Sequence, residues 1–437
     1  MLNNKRYVRM LTGLTALLLG LCGCAVPPET ISAPSGVQAP VAPANVPEKP
    51  DAAADAGGAP VTLNLADFGA AGNGQADDTA ALRNAVSAVL EAGGGTVYLP
   101  AGTYRLTDTL MLTGDDSALL TLRADPTGQT VLVADASVNG PAVWIERSGV
   151  TLFGLDIILG TTEDQPAVLV TGSHVTLDSV TARMTAGNTQ PGFLVYGSYD
   201  TLRNCGVGYV SDTQYMVVFS KMPGLDAVGN VLEDCHFGGM AGKCVLVTSE
   251  DDNGVPEQLT IRRNVFLVVG CDQVEVRAAR NLYIIDNMLD AAGVCVLLDP
   301  LPAGVRGVQI TDNYCGASTG GARTGGVRTE SAYGGTLENV IVSANYFWCP
   351  NAVRVVLPEY TGFSLTDNYF VLTGGDAVYM AAAVGAYMEG NVVANIGGQC
   401  PLRLEAVDEM TVIQGNAWGN GIEVPEWRTR FAAQNSM

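Results

Sequence analysis

The residues of this 437-residue chain whose types and spacing could do chemistry lie in short strand-like segments of its C-terminal half. Val274-Glu275-Val276-Arg277 and Val327-Arg328-Thr329-Glu330 alternate in polarity, so strands there would turn Glu275, Arg277, Arg328 and Glu330 outward. Val353-Arg354-Val355, Val378-Tyr379-Met380 and Leu402-Arg403-Leu404 expose Arg354, Tyr379 and Arg403 in the same way. A guanidinium grips a carboxylate with paired hydrogen bonds, so a column of arginines suits a sugar acid. Arg277, Arg354, Tyr379 and Arg403 are therefore candidate substrate-binding residues, and Glu275, Arg328 and Glu330 a candidate catalytic set. Two carboxylates at the right separation hydrolyse a glycosidic bond. An arginine working with a cation could instead assist β-elimination from a uronate. Asp299 and Glu359 add acids near the same surface, and Tyr360 a second ring for stacking. The competing reading is a ladder of Arg–Glu pairs that keeps an exposed sheet soluble, and the sequence leaves both open.

Other candidates are weaker. Glu250-Asp251-Asp252-Asn253-Gly254 gathers hard oxygen donors, which makes Asp251 and Asp252 candidate Ca²⁺ ligands, though Asn-Gly is also a turn signal. No other cofactor is indicated. There are only two histidines, His174 and His236, each read as structural, which excludes a His-rich zinc site. Of ten cysteines, Cys205 and Cys235 share one offset in consecutive repeats, and Cys271 and Cys295 nearly do. Each pair fits either a disulfide or buried thiols.

The elements that must position these residues follow from composition and repeats. Charged residues make up 15% and hydrophobic ones 47%, which excludes disorder across the whole chain. The net charge of −21 argues against nucleic acid, whose phosphates need Lys and Arg. Residues 1–24 read as an export signal: Lys5, Arg6 and Arg9, then an apolar stretch from Met10 to Leu21, too short to span a bilayer. It ends in Leu21-Cys22-Gly23-Cys24, which resembles a bacterial lipobox; that resemblance implies lipidation of Cys24 and a lipid-anchored location in the cell envelope. Residues 25–60, with eight prolines among alanines, form an extended tether.

Residues 61–104 read as strand, glycine-rich turn, amphipathic helix and strand, with Asp77 or Asp78 placed to cap the helix and Leu82, Val86, Val89 and Leu90 on one face. Asp67-Phe68-Gly69-Ala70, Asp77-Asp78-Thr79, Gly94-Gly95-Thr96-Val97-Tyr98-Leu99-Pro100 and Gly102-Thr103-Tyr104 resemble the N-terminal block of the pectate lyase superfamily. The block is of the rhamnogalacturonase/epimerase-like type. That resemblance implies a right-handed, single-stranded parallel β-helix and a carbohydrate association, but no particular reaction. The Asn-Thr-Asp, Asp-Asp, Gly-His-Gly and Arg-Ile-Lys set of polygalacturonases is missing, so their reaction does not carry over.

Beyond the block, Asn204, Asp234, Asn264, Asn287, Asn313, Asn345, Asn368, Asn391 and Asn416 align at one position, with Ser179, Gly154 and Ala124 as weaker members. Such a period means a solenoid, here of about twelve coils at ~4.8 Å each, with stacked asparagines inside. The expected protein is thus an all-β solenoid over residues 61–437 with an N-terminal capping helix. It is expected to be monomeric and to meet membranes only through its lipid. It would act on an acidic polysaccharide as a lyase or glycoside hydrolase, or else serve as a non-catalytic glycan-binding or adhesin-like surface protein. The long repeats around 211–224, 249–256 and 316–335 would project loops.

Overall fold

The computed structural model describes residues 60–436, except 161–163, 186, 209–214, 240–242, 252, 269–271, 292, 318–322, 358–359, 372–373 and 395–399. Cys24, the tether to residue 59, Asp252, Cys271 and Glu359 lie outside the described residues.

Short strands rich in Val, Leu and Ile follow one another in a three-beat cycle and stack in parallel on the equivalent strands of the next coil. One face is a 14-stranded sheet, running from Val61–Asn64 to Val412–Gln414. A second face, called the site sheet below, has 12 strands from Leu110–Leu112 to Leu402–Leu404. The third face is split into a six-stranded sheet ending at Gly206–Gly208 and a seven-stranded sheet starting at His236–Gly239. The result is an all-β parallel solenoid of about twelve turns, at about 4.8 Å each. Alternate residues point inward to one continuous core: Leu152, Leu177, Leu202 and Leu232 stack in register and are fully buried.

Helix α1 (Thr79–Glu91) buries Ala81, Leu82, Ala85, Val86 and Val89 against the first strands. The two aspartates ahead of it divide their work. Asp77 accepts from the Thr79 amide (3.0 Å), while Asp78 turns back to the Ala71 and Gly72 amides and makes no cap bond. Gly95 marks where the helix rejoins the sheet. With φ at +146° and Val61 O only 2.0 Å from where a Cβ would sit, no side chain fits there.

The asparagine column is present, in a register that corrects the sequence alignment in its early members. Asn264, Asn287, Asn313, Asn345, Asn368, Asn391 and Asn416 are all within 1% of full burial. Each donates from backbone and side-chain amide to the side-chain oxygen of the next, ending on Asn435. The residue just before this position takes a left-handed conformation, and that is where Asn204 (φ +53°), Asp234 (+54°), Ser179 (+58°) and Gly154 (+73°) sit. The inward position in those coils belongs to the following residue: Leu155, Val180, Cys205 and Cys235. Cys205 and Cys235 act as asparagine substitutes. The Cys205 amide donates to Cys235 Sγ (3.3 Å), the Cys235 amide to Asn264 Oδ1 (2.9 Å), and each thiol donates to a backbone carbonyl. Both are buried free thiols.

Candidate binding face on the site sheet

One outward column of the site sheet runs in register from Met111, Trp144, Leu169 and Leu194 through Val218, Leu246, Glu275 and Leu297 to Arg328, Arg354, Tyr379 and Arg403. The column changes from apolar to charged at Glu275, and the arginines do share one side of the solenoid on neighbouring coils.

The first half of the charged stretch is not an open surface. Glu275 points away from the core, yet only 2% of it is exposed, because side chains from other coils close over it. Arg277 Nε lies 2.6 Å from Glu275 Oε1, Tyr215 donates its hydroxyl to Oε2 at 2.9 Å, and Lys243 pairs with the same oxygen. Burial alone would raise the Glu275 carboxyl, but Lys243 and Arg277 overcome it and hold the group below its ordinary value. Arg277 also donates to the Tyr215 hydroxyl (2.8 Å), and its guanidinium lies over the rings of Tyr215 and Tyr333, 5.8 and 5.0 Å from their centroids. Burial pushes the Tyr215 hydroxyl up and keeps it protonated. Glu330 pairs with Arg328 (3.1 Å) and Arg323 (3.3 Å), and Asp272 with Arg323 (3.2 Å). Asp299, 4% exposed, accepts from the Ala332 amide at 2.8 Å, and burial raises its carboxyl.

This geometry brings Glu275 and Arg277 together, and Arg328 and Glu330 together, but as ion pairs. Glu275 and Glu330 have their oxygens committed to cations. Sequence reasoning missed Tyr215, Lys243 and Tyr333. Tyr215 and Lys243 reach Glu275 from 60 and 32 residues away, a proximity that only the coil stacking creates.

The second half is more open. Arg354 lies flat on Tyr379, 4.1 Å from its centroid, and has no carboxylate in ion-pair range among the described residues. Tyr379 donates its hydroxyl to Glu405 (2.6 Å), and Arg403 pairs with Glu423 (3.0 Å) and Asp376 (3.7 Å). Tyr360 is not available for stacking: it is 6% exposed and donates its hydroxyl to Ala382 O.

In the acidic turn the described candidate ligand, Asp251, pairs with Lys221 at 3.5 Å, and the Lys221 ammonium also donates to Met222 O and Leu225 O. Among the described residues no three His, Cys, Asp or Glu side chains converge in a metal-binding group. His174 stacks on Tyr199 (5.2 Å), and His236 lies at the start of the seven-stranded sheet.

Fold and face define a parallel β-solenoid with one charged, arginine-bearing side. Residues 62–274, just under half of the chain, match the model of the family described as rhamnogalacturonase A/epimerase, pectate lyase-like. Part of the chain is 46% identical over 77 residues to mannuronan C5-epimerase AlgE1 of Azotobacter vinelandii, a match covering 17% of this chain and 5% of that protein. Among solved structures, the tailspike protein of E. coli bacteriophage HK620 superposes with a TM-score of 0.58 at 12% identity, covering 80% of each chain. The surface protein and adhesin PfbA of Streptococcus pneumoniae gives 0.50 at 14% identity, covering 83% of this chain and 99% of the other. At such identities these likenesses show the fold.

Proposed function

We propose that this protein engages a uronate-bearing polysaccharide laid along the site sheet, parallel to the solenoid axis. The observation that carries this reading is the in-register run Arg328, Arg354, Tyr379, Arg403, which offers a cation or a ring at each step of about 4.8 Å. The matched stretch of a relative named for mannuronan, and the match to the pectate-lyase-like family, support an acidic glycan as the partner. Right-handed winding is part of the same proposal and rests on the family resemblance.

Lyase or hydrolase action is the finer form of the proposal. Glu275 and Glu330 would have to leave their ion pairs with Arg277, Lys243, Arg323 and Arg328 to take part in it. Those same ion pairs favour the second reading, a non-catalytic glycan-binding or adhesin-like surface protein. Anchoring belongs to the proposal too: Cys24 would carry the lipid, and Cys24→Ala should shift the protein from the detergent to the aqueous phase on partitioning.

A panel of uronate polymers, with and without calcium, tests the main reading. Binding is followed by titration, and cleavage by reducing ends and by the ultraviolet absorbance of unsaturated products. Binding of acidic but not neutral polymers is expected. Arg354→Ala should weaken it by about 1–3 kcal/mol, the range of a hydrogen bond to a charged group, with little loss of stability. Binding without products on any polymer selects the non-catalytic reading; no binding to any acidic polymer refutes both.

A further inference from the structure

Three consecutive coils meet behind Arg277, and their chain segments are tied crosswise. The Arg277 carbonyl accepts from the Leu301 amide (2.7 Å). On the next coil, Leu298 O accepts from Glu330 N–H and Pro300 O from Gly335 N–H, each at 2.9 Å. Between those two bonds the Asp299 carboxylate accepts from the Ala332 amide (2.8 Å), and the Tyr333 amide also supports it. Gly334, at φ +71°, lets the turn close, and Gly335 packs so tightly on Leu301 that a Cβ would lie 1.9 Å from its carbonyl oxygen. Residues 330–335 thus form a strap fastened at both ends and in the middle, and Tyr333 is carried on it over the Arg277 guanidinium, 5.0 Å from ring centroid to cation.

Tyr215 is a second ring beside Arg277, its hydroxyl accepting from Nη2 at 2.8 Å, and Nε is committed to Glu275. The guanidinium therefore has two rings beside it and its Nε–Nη2 edge anchored, and 22% of the side chain remains accessible. A guanidinium fixed in this way has lost its rotamer freedom before any ligand arrives, which is the condition for tight, geometry-selective gripping of a carboxylate.

We propose that Asp299 and Tyr333 are positioning residues: Asp299 latches the 330–335 strap, and the strap presses Tyr333 onto Arg277 so that its free edge is preset for a sugar carboxylate. This rests on the acidic-glycan reading of the same face and adds to it a specific carboxylate subsite at Arg277, separate from the more open Arg354. Asp299 then acts through the strap, and the role needs its oxygens as acceptors more than its charge.

The test uses the full chain with a uronate oligomer as ligand and hydrogen exchange as a ligand-free readout. Asp299→Ala should raise amide exchange across 330–335 and weaken binding about tenfold, while Asp299→Asn, which keeps an acceptor oxygen, should restore both. Tyr333→Ala should weaken binding by a similar factor without loosening the strap's end bonds, and Tyr333→Phe should leave it unchanged. The double variant Asp299→Ala/Tyr333→Ala should bind no worse than either single one, because both act through one contact. Additive losses, or Asp299→Asn behaving as Asp299→Ala, overturn the latch. If the wild-type chain binds and Tyr333→Ala binds as well as it does, the latch fails while the glycan reading stands. If the wild type binds no uronate oligomer, the glycan reading itself fails, and the exchange data still report whether Asp299 fastens the strap.

Discussion

Glu275 shows how far one residue's role depends on what covers it. From the sequence it is an exposed acid beside an arginine; in the fold it is an ionised carboxylate closed in by Tyr215, Lys243 and Arg277. Replacing it leaves two cations facing a partly dry site, so Glu275→Gln should destabilise the protein by about 3 kcal/mol, as for a broken buried pair. Its folded-state pKa lies below the ordinary 4.5, so the stabilisation is present above that value and lost as pH falls through the folded-state pKa. Urea unfolding should therefore separate variant from wild type at neutral pH and bring them together in acid. A difference that persists unchanged into acid would mean the effect is packing alone. The alternation of charge along these strands, and the shared side of the arginines, were legible in the sequence. The burial was not, because Tyr215, Lys243 and Tyr333 belong to other coils and carry no local signal.

Among the elements, the inner ladder gives the clearest lesson in register. Its later rungs are plain in the text of the chain, since an Asn recurs before each return strand, after Asp or Gly at 287, 313, 368, 391 and 416. The early rungs were misread because the exposed Asn204 and Asp234 are polar, and alignment on polarity selects them over the cysteines that follow. The left-handed turn explains the mistake: Asn and Asp tolerate positive φ, so they collect at the position just before the rung as readily as on it. The correction has a consequence for stability. Cys235 accepts from the Cys205 amide, so Cys235→Leu should cost about 1–3 kcal/mol by leaving that buried amide without an acceptor. Cys235→Asn should keep or improve the thermal midpoint, since it extends the run that begins at Asn264. A leucine variant as stable as wild type would show that the thiol bridges nothing. The same logic gives Asn287→Leu a loss of about 1–3 kcal/mol, read from the shift in thermal midpoint.

Across the whole solenoid the carboxyl groups sort by position. Asp77, Asp108, Asp125, Asp135, Asp178, Asp234 and Glu275 are lowered, Asp125 to about 2, because hydrogen bonds and arginine partners prevail over burial. Asp290, Asp299, Asp312, Asp367 and Asp376 are raised, in each case chiefly by burial, and among the shifted carboxyls of the described later coils only Asp408 breaks the pattern. A lowered carboxyl supports the fold above its unfolded pKa and stops doing so in acid. A raised one opposes the fold at neutral pH and ceases to as it takes up a proton. Since solenoid coils open semi-independently, protection relative to intrinsic exchange should increase in coils beyond residue 288 as the pH falls from neutral through the titration of these raised carboxyls. The first seven coils should keep their protection until the pH falls below about 4. Uniform behaviour along the chain would contradict this division.

The split third face and the change of rung chemistry coincide between Gly206 and Asn264, which gives the molecule a mechanical seam. A chain drawn from its N-terminal end would unwind coil by coil, because each coil is held only by its neighbours. The early coils carry Leu155 and Val180 at their inner corner, which add only backbone bonds and packing against tension. Beyond Cys235 every further turn must also break paired amide bonds of a buried asparagine. The pulling force would therefore step upward where Cys235 meets Asn264, just before the first charged residue of the site column. The arginine-bearing coils lie on the stronger side of that step, sheltered from loads that would already have unravelled the rest.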